Sequence, residues 1–143
     1  MEPPVVYVVD DDPSVRVGLQ RLLRSGGHKV RLFASAEDFL ANIDRSASGC
    51  LILDVLLPGM TGLQLQERLA DHGWELPVIF ITSHFDEASH DAALRKGALA
   101  YLCKPFGCEQ ILGSVRGAIE ALGTCRGGAH SAEARDGGGV GPC

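Results

Sequence analysis

Four short apolar runs stand out along the chain: Val5-Val6-Tyr7-Val8-Val9, Cys50-Leu51-Ile52-Leu53, Val78-Ile79-Phe80-Ile81 and Ala98-Leu99-Ala100-Tyr101-Leu102. None alternates apolar with polar positions, so neither face of these segments is suited to water. A parallel strand covered by helices on both faces has this pattern. A fifth, weaker strand is expected over His28 to Phe33, where Val30 and Leu32 break the helical period.

Between the runs the period lengthens to that of helices. Val15, Leu19, Leu22 and Leu23 form one stripe after Pro13, a residue suited to a first helical turn, and Gly26-Gly27 ends it. Ser35 caps a second helix carrying Phe39, Leu40 and Ile43, with Glu37 and Asp38 at its positive end. Leu63, Leu65, Leu69 and Ala70 predict a third helix closed near Gly73. Ala88, Ala92, Ala93 and Leu94 predict a fourth, ended by Gly97. Ile111, Leu112, Val115, Ile119 and Leu122 make the strongest stripe, closed by Gly123. A βα unit repeated five times in this way, joined by right-handed crossovers, makes an α/β doubly wound parallel sheet with helices on both faces.

Composition adds boundaries to that picture. At 143 residues, 45% hydrophobic and 22% charged, the chain has the size of one domain with one core. From about Thr124 large apolar side chains give way to Gly127-Gly128, Gly137-Gly138-Gly139 and Gly141. Residues 1–123 are therefore expected to form the domain, and 124–143 a glycine-rich flexible tail or linker. No apolar run reaches the ~18 residues of a membrane span. Met1-Glu2-Pro3-Pro4 lacks the basic start of a signal peptide, so a cytoplasmic protein without membrane contact is expected. The net charge of -5 and the dispersed Arg and Lys argue against nucleic-acid contact by this segment. Cysteines at 50, 103, 108, 125 and 143 contain no C-x-x-C pair and read as reduced thiols. Histidines at 28, 72, 84, 90 and 130 show no metal-ligand spacing.

In a doubly wound sheet, ligands bind beyond the carboxyl ends of the strands. Asp10, Asp11 and Asp12 follow the first strand, Asp54 the third, Thr82 and Ser83 the fourth, and Lys104 with Pro105 the fifth. Each has an ordinary alternative when taken alone: a helix cap, a turn, a solvated charge. Together they place acids, a hydroxyl and an ammonium at one sheet end. Acids gathered there repel one another unless a cation offsets them or one is protonated. Mg²⁺ suits one or two carboxylates and leaves room for a phosphoryl oxygen. A carboxylate beside it can attack a phosphorylated donor, while Lys104 and Thr82 meet the charge on the transferring group.

The segments Val8-Val9-Asp10-Asp11-Asp12, Leu53-Asp54-Val55-Leu56-Leu57-Pro58-Gly59-Met60-Thr61-Gly62, Ile81-Thr82-Ser83 and Lys104-Pro105-Phe106 resemble those of bacterial response-regulator receiver domains. The likeness covers roughly Val5 to Leu122. It implies the flavodoxin-like (βα)5 three-layer sandwich with strand order 2-1-3-4-5. It further implies that Asp54 accepts a phosphoryl group from a sensor histidine kinase. Asp10 and Asp11 would form the acid pocket around Mg²⁺ (or Mn²⁺), held by Asp11, Asp54 and the Leu56 backbone carbonyl. Thr82 and Tyr101 match the family's switch pair and Lys104 its phosphate-binding lysine, whose bond to the next proline is commonly cis. Leu56 and His84 match the positions that tune the lifetime of the phosphorylated state. Such a module turns over no separate substrate; it catalyses only its own phosphorylation and dephosphorylation.

Ile81-Thr82-Ser83-His84 and Ser35-Ala36-Glu37-Asp38-Phe39-Leu40 most resemble the NarL/FixJ-type subclass, usually fused to a LuxR-type helix-turn-helix. A transcriptional role, with a phosphorylation-dependent homodimer, is the first expectation. A single-domain receiver acting by protein contact is the alternative. Other readings fit less well. A flavodoxin-like electron carrier would put acids against the FMN phosphate, and G-x-G-x-x-G and G-x-x-x-x-G-K-[ST] loops are absent from the sequence. A haloacid-dehalogenase-type phosphatase would use Asp10 and Asp12 and leave Asp54 without a role. A degenerate receiver would not keep every functional position filled.

Overall fold

The computed structural model describes residues 4–43, 48–73 and 76–123. Ten elements alternate along them: β1 (Val5–Val9), α1 (Pro13–Ser25), β2 (Lys29–Phe33), α2 (Ala36–Asn42), β3 (Gly49–Asp54), α3 (Gly62–Asp71), β4 (Val78–Thr82), α4 (Glu87–Arg95), β5 (Ala100–Cys103) and α5 (Cys108–Gly123). The strands form one parallel sheet in the order β2-β1-β3-β4-β5. The doubly wound sheet and its strand order are as expected. The tail at 124–143 lies outside the described residues.

The continuous apolar runs follow from the two-sided burial of the sheet. Side chains of successive strand residues alternate between faces. Tyr7, Val9, Leu51, Leu53, Val78 and Phe80 pack with Phe39, Leu65 and Ala93 of α2, α3 and α4. Val6, Val8, Cys50, Ile52, Ile79 and Ile81 pack with Leu19, Leu23, Ile111 and Val115 of α1 and α5. All six positions of β3 are buried because it lies at the sheet's centre. Edge strand β2 instead alternates exposed and covered residues, which explains its weak sequence signal.

Side chains cap the first three helices, Ser35 among them as expected. Asp12 caps α1 through the Ser14 amide, with Pro13 in its first turn. Ser35 caps α2 through the Asp38 amide. Thr61 and Gln64 form a reciprocal capping box on α3.

The structure differs from the sequence reading at several positions. The last strand begins at Ala100, since Leu99 is 47% exposed. Ile43 follows α2 in extended backbone rather than completing its stripe. On α4 only Ala93 is buried; Leu94 faces outward, because a helix rich in alanine leaves its registration to neighbouring contacts. Ala70 is likewise exposed. Cys103 is joined in a disulfide, against the expectation of reduced thiols, whereas Cys50 and Cys108 are free. Cys103 ends the edge strand β5 half-buried, whereas Cys108 is exposed and Cys50 is fully covered, where burial pushes its thiol up to about 12. No described helix is long and apolar enough to cross a membrane.

Candidate functional site

The parallel register brings the ends of β1, β3, β4 and β5 to one edge of the sheet. Val9 pairs with Leu53, Asp54 with Ile81, and Thr82 with Cys103. The residue after β1, Asp10, is fully buried, and Asp54 ends β3 at 6% exposure. Asp11 remains exposed at the rim. Carboxylate oxygens of Asp10, Asp11 and Asp54 lie within 4.8 Å of one another. Residues separated by more than forty positions in sequence thus converge because parallel strands share a direction.

Each buried acid is held at both oxygens. Asp10 Oδ1 accepts from the Asp12 amide at 2.9 Å, and its Oδ2 from Lys104 Nζ at 3.0 Å. Asp54 Oδ1 accepts from the Leu56 amide at 3.1 Å, and its Oδ2 from Lys104 Nζ at 3.4 Å. Lys104 is in turn fixed by its own amide, which donates to the Thr82 carbonyl at 2.7 Å, and the Lys104-Pro105 bond is cis.

The charges do not balance. One ammonium faces three carboxylates. Burial first, then the negative charge of Asp10, pushes the Asp54 carboxyl up to about 6, against the pull of Lys104 and the Leu56 amide. Burial draws the Lys104 ammonium down, but the hydrogen bond to Asp10 and the charges of Asp54 and Asp10 outweigh it, so its pKa is raised. The remaining negative charge, the oxygen ligands and the open rim at Asp11 are the donor set of a hard divalent cation such as Mg²⁺. The residues present fit that ion.

The other expected residues surround this centre at different distances from it. Leu56, two residues past the end of β3, is 61% exposed. The Thr82 hydroxyl is buried in its own turn, donating to the His84 carbonyl at 3.0 Å and accepting from the His84 amide at 3.1 Å. Tyr101 is not in the pocket. It lies on the α2–α3–α4 face, with ring centroids 5.1 Å from His90, 6.0 Å from Phe85 and 6.1 Å from Phe80. Its hydroxyl is buried and has no hydrogen-bond partner among the described residues.

Sequence reasoning missed four contributors. Arg16 donates to the Asp10 carbonyl at 2.6 Å, one helical turn into α1. A Cβ on Gly62 would lie 2.3 Å from the Asp54 carbonyl oxygen, so only glycine lets α3 begin against β3. Buried Gln66 donates to the Ala93 carbonyl at 3.1 Å, tying α3 to α4. Glu37 accepts from the Met60 amide at 2.9 Å, joining α2 to the loop after β3. Only the helix-start signal at Thr61 and Gln64 was available from sequence to locate the end of that loop.

Comparisons with known proteins agree with this geometry. A family model described as response regulator receiver domain matches residues 6–116. Response regulator protein TodT of Pseudomonas putida is 44% identical over 116 residues, covering 81% of this chain and 51% of the relative. Transcriptional regulatory protein FixJ of Bradyrhizobium diazoefficiens is 34% identical over 114 residues, covering 80% of this chain and 56% of the relative. The structure of response regulator StyR superposes with a TM-score of 0.82 at 40% identity, covering 87% of this chain and 63% of that one. The chain spans about half the length of the curated relatives it matches.

Proposed function

Because the chain belongs to the response regulator receiver domain family of two-component systems, we propose that it takes a phosphoryl group from a sensor histidine kinase onto Asp54. The observation that carries this reading is the convergence of Asp10, Asp11, Asp54 and Lys104 at one edge of the sheet. An Asp54 oxygen attacks phosphorus, the phosphorus–nitrogen bond to the donor histidine breaks, and the imidazole leaves with its electron pair. The product is an aspartyl phosphate, a mixed anhydride.

Asp11, Asp54 and the Leu56 carbonyl would hold Mg²⁺, with Asp10 beside it. When bound, Mg²⁺ supplies positive charge to the phosphoryl oxygens and to the attacking carboxylate. Lys104, already 3.4 Å from Asp54, transfers its ion pair to the incoming oxygens. Thr82 exchanges its bonds to His84 for one to the phosphoryl group. That movement vacates space next to Tyr101 and changes the surface made by α4, β5 and α5. The altered surface favours a homodimer or a partner. Transcriptional control is the output we assign, on the likeness to FixJ.

The test is the intact mass of the full chain after incubation with acetyl phosphate and Mg²⁺. A gain of one phosphoryl group that disappears on adding chelator beforehand is expected. No gain, or an equal gain without the metal, overturns the reading.

A further inference from the structure

The loop between β3 and α3 carries Leu56, and the tip of that loop is held from outside. Within it, the Leu56 amide donates to Asp54 and the Thr61 amide to Gln64 of α3. Among the described residues, the Glu37–Met60 hydrogen bond ties residues 56–60 to an element other than the two that the loop joins. Its base is firm. Glu37 sits in the first turn of α2 between Ser35, which caps the helix, and Phe39, which is fully buried with Ala36.

The fit between carboxylate and loop is close. Gly59 adopts φ +75°, a left-handed conformation that turns the chain toward α2. A Cβ at that position would come within 2.8 Å of Glu37 Oε2. Space and backbone conformation at Gly59 therefore both serve this contact. The Met60 amide is the main cause that holds the Glu37 carboxyl below the usual carboxylate range, so it is ionised at neutral pH.

We infer that Glu37 is a positioning residue for divalent-cation loading: by holding the Met60 amide it sets where Leu56 stands beside Asp54. The inference rests on the proposed function in that it takes Leu56 as a metal ligand. Glu37 is not one of the clustered acids Asp10, Asp11 and Asp54, so it acts through the loop. Releasing the tip loosens the chain around Gly59 and Met60 while Val55 and Leu57 stay buried on either side of Leu56, and the cation must then order that tip as it binds.

The experiment uses the full chain and its Glu37→Ala and Glu37→Gln variants. Calorimetry measures Mg²⁺ binding, and uptake of phosphoryl group from acetyl phosphate is timed across Mg²⁺ concentrations. For Glu37→Ala, a roughly fivefold rise in the Mg²⁺ concentration for half-saturation is expected, with the rate at saturating Mg²⁺ within about twofold of the parent. Glu37→Gln, whose amide oxygen still accepts from Met60, should fall between. Unchanged Mg²⁺ affinity in Glu37→Ala overturns the inference, as does a lower maximal rate at unchanged Mg²⁺ dependence. A parent that binds Mg²⁺ yet takes up no phosphoryl group overturns the proposed function, and the calorimetric comparison still decides the role of Glu37. A parent that binds no Mg²⁺ overturns both.

Discussion

The two halves of the sheet's carboxyl edge are built differently. At the ends of β1 and β3, both oxygens of Asp10 and of Asp54 have partners, and Lys104 joins the two acids. On β4 and β5, the Thr82 hydroxyl at the strand end bonds only within its own turn, and the Tyr101 hydroxyl, further back along β5, has no partner among the described residues. The first half is preorganised, so in the proposed reaction its groups would be in place before a donor arrives. The second half has little to lose by rearranging. A local event in the fixed half can therefore move the poised half, provided the two arrangements lie within a few kcal/mol.

The largest effect that breaks this contrast is loss of the proposed nucleophile, Asp54. Asp54→Asn keeps the shape of the fixed half and should abolish phosphoryl uptake, read by mass. The same variant tests the electrostatics. The Asp54 carboxyl is pushed up to about 6, above its ordinary 3.8, so the folded chain binds more protons than the unfolded chain between those values. Metal-free stability should therefore fall as pH rises from about 4 through about 6. Above that, the parent should lie on the order of 1–2 kcal/mol below Asp54→Asn once solvent screening is allowed for. Melting in chelator at stepped pH measures the difference, and parallel curves for the two chains refute it.

Next in size is the rim acid. Asp11→Ala removes an exposed ligand and should weaken Mg²⁺ binding by about tenfold or more, with the fold retained because repulsion among the acids is relieved. Calorimetry and circular dichroism check the two halves of that statement.

Thr82→Ala separates the regions. It should still accept phosphate on Asp54, within about tenfold of the parental rate, yet lose most of the phosphorylation-dependent change at β5 and in dimerisation. Parental NMR shifts at Tyr101 on phosphorylation of that variant would show that the two halves communicate by another route.

Leu56 and His84 flank the path of water to the phosphorus in the proposed site. The exposed leucine side chain has no group to orient water, so self-dephosphorylation should be slow. Leu56→Asn should shorten the lifetime several-fold, by about a factor of five, when decay is timed after donor removal. Equal decay would mean that water access here does not set the lifetime.

The smallest effect sharpens the poised half. Tyr101→Phe deletes a buried hydroxyl that has no partner, so its stability change should be neutral to stabilising, about 0.5 kcal/mol by denaturant unfolding. A loss well beyond that would show that the hydroxyl is bonded in solution.

The fold and the chemical centre were legible because both are written in local patterns. Apolar runs without alternation mark two-sided strands, and each functional group follows directly after one of them: Asp10, Asp54, Thr82 and Lys104. Parallel direction then brings them to one edge without further information. What was illegible depends on partners distant in sequence. Glu37 read as a favourable charge in the first turn of α2, since its actual partner is a backbone amide in a loop that no side-chain pattern identifies. Gly62 stood at the end of the motif in the sequence without a reason attached, because its need for glycine arises from the Asp54 carbonyl, met only after α3 docks. The outward face of Leu94 and the burial of Gln66 were likewise decided by packing. Period and strand-end chemistry are properties of a residue and its near neighbours, so sequence determined them. The positions of the loop, the glycine and the buried amide depend on which backbone atoms come within hydrogen-bond or van der Waals range, and only the assembled tertiary structure sets those distances.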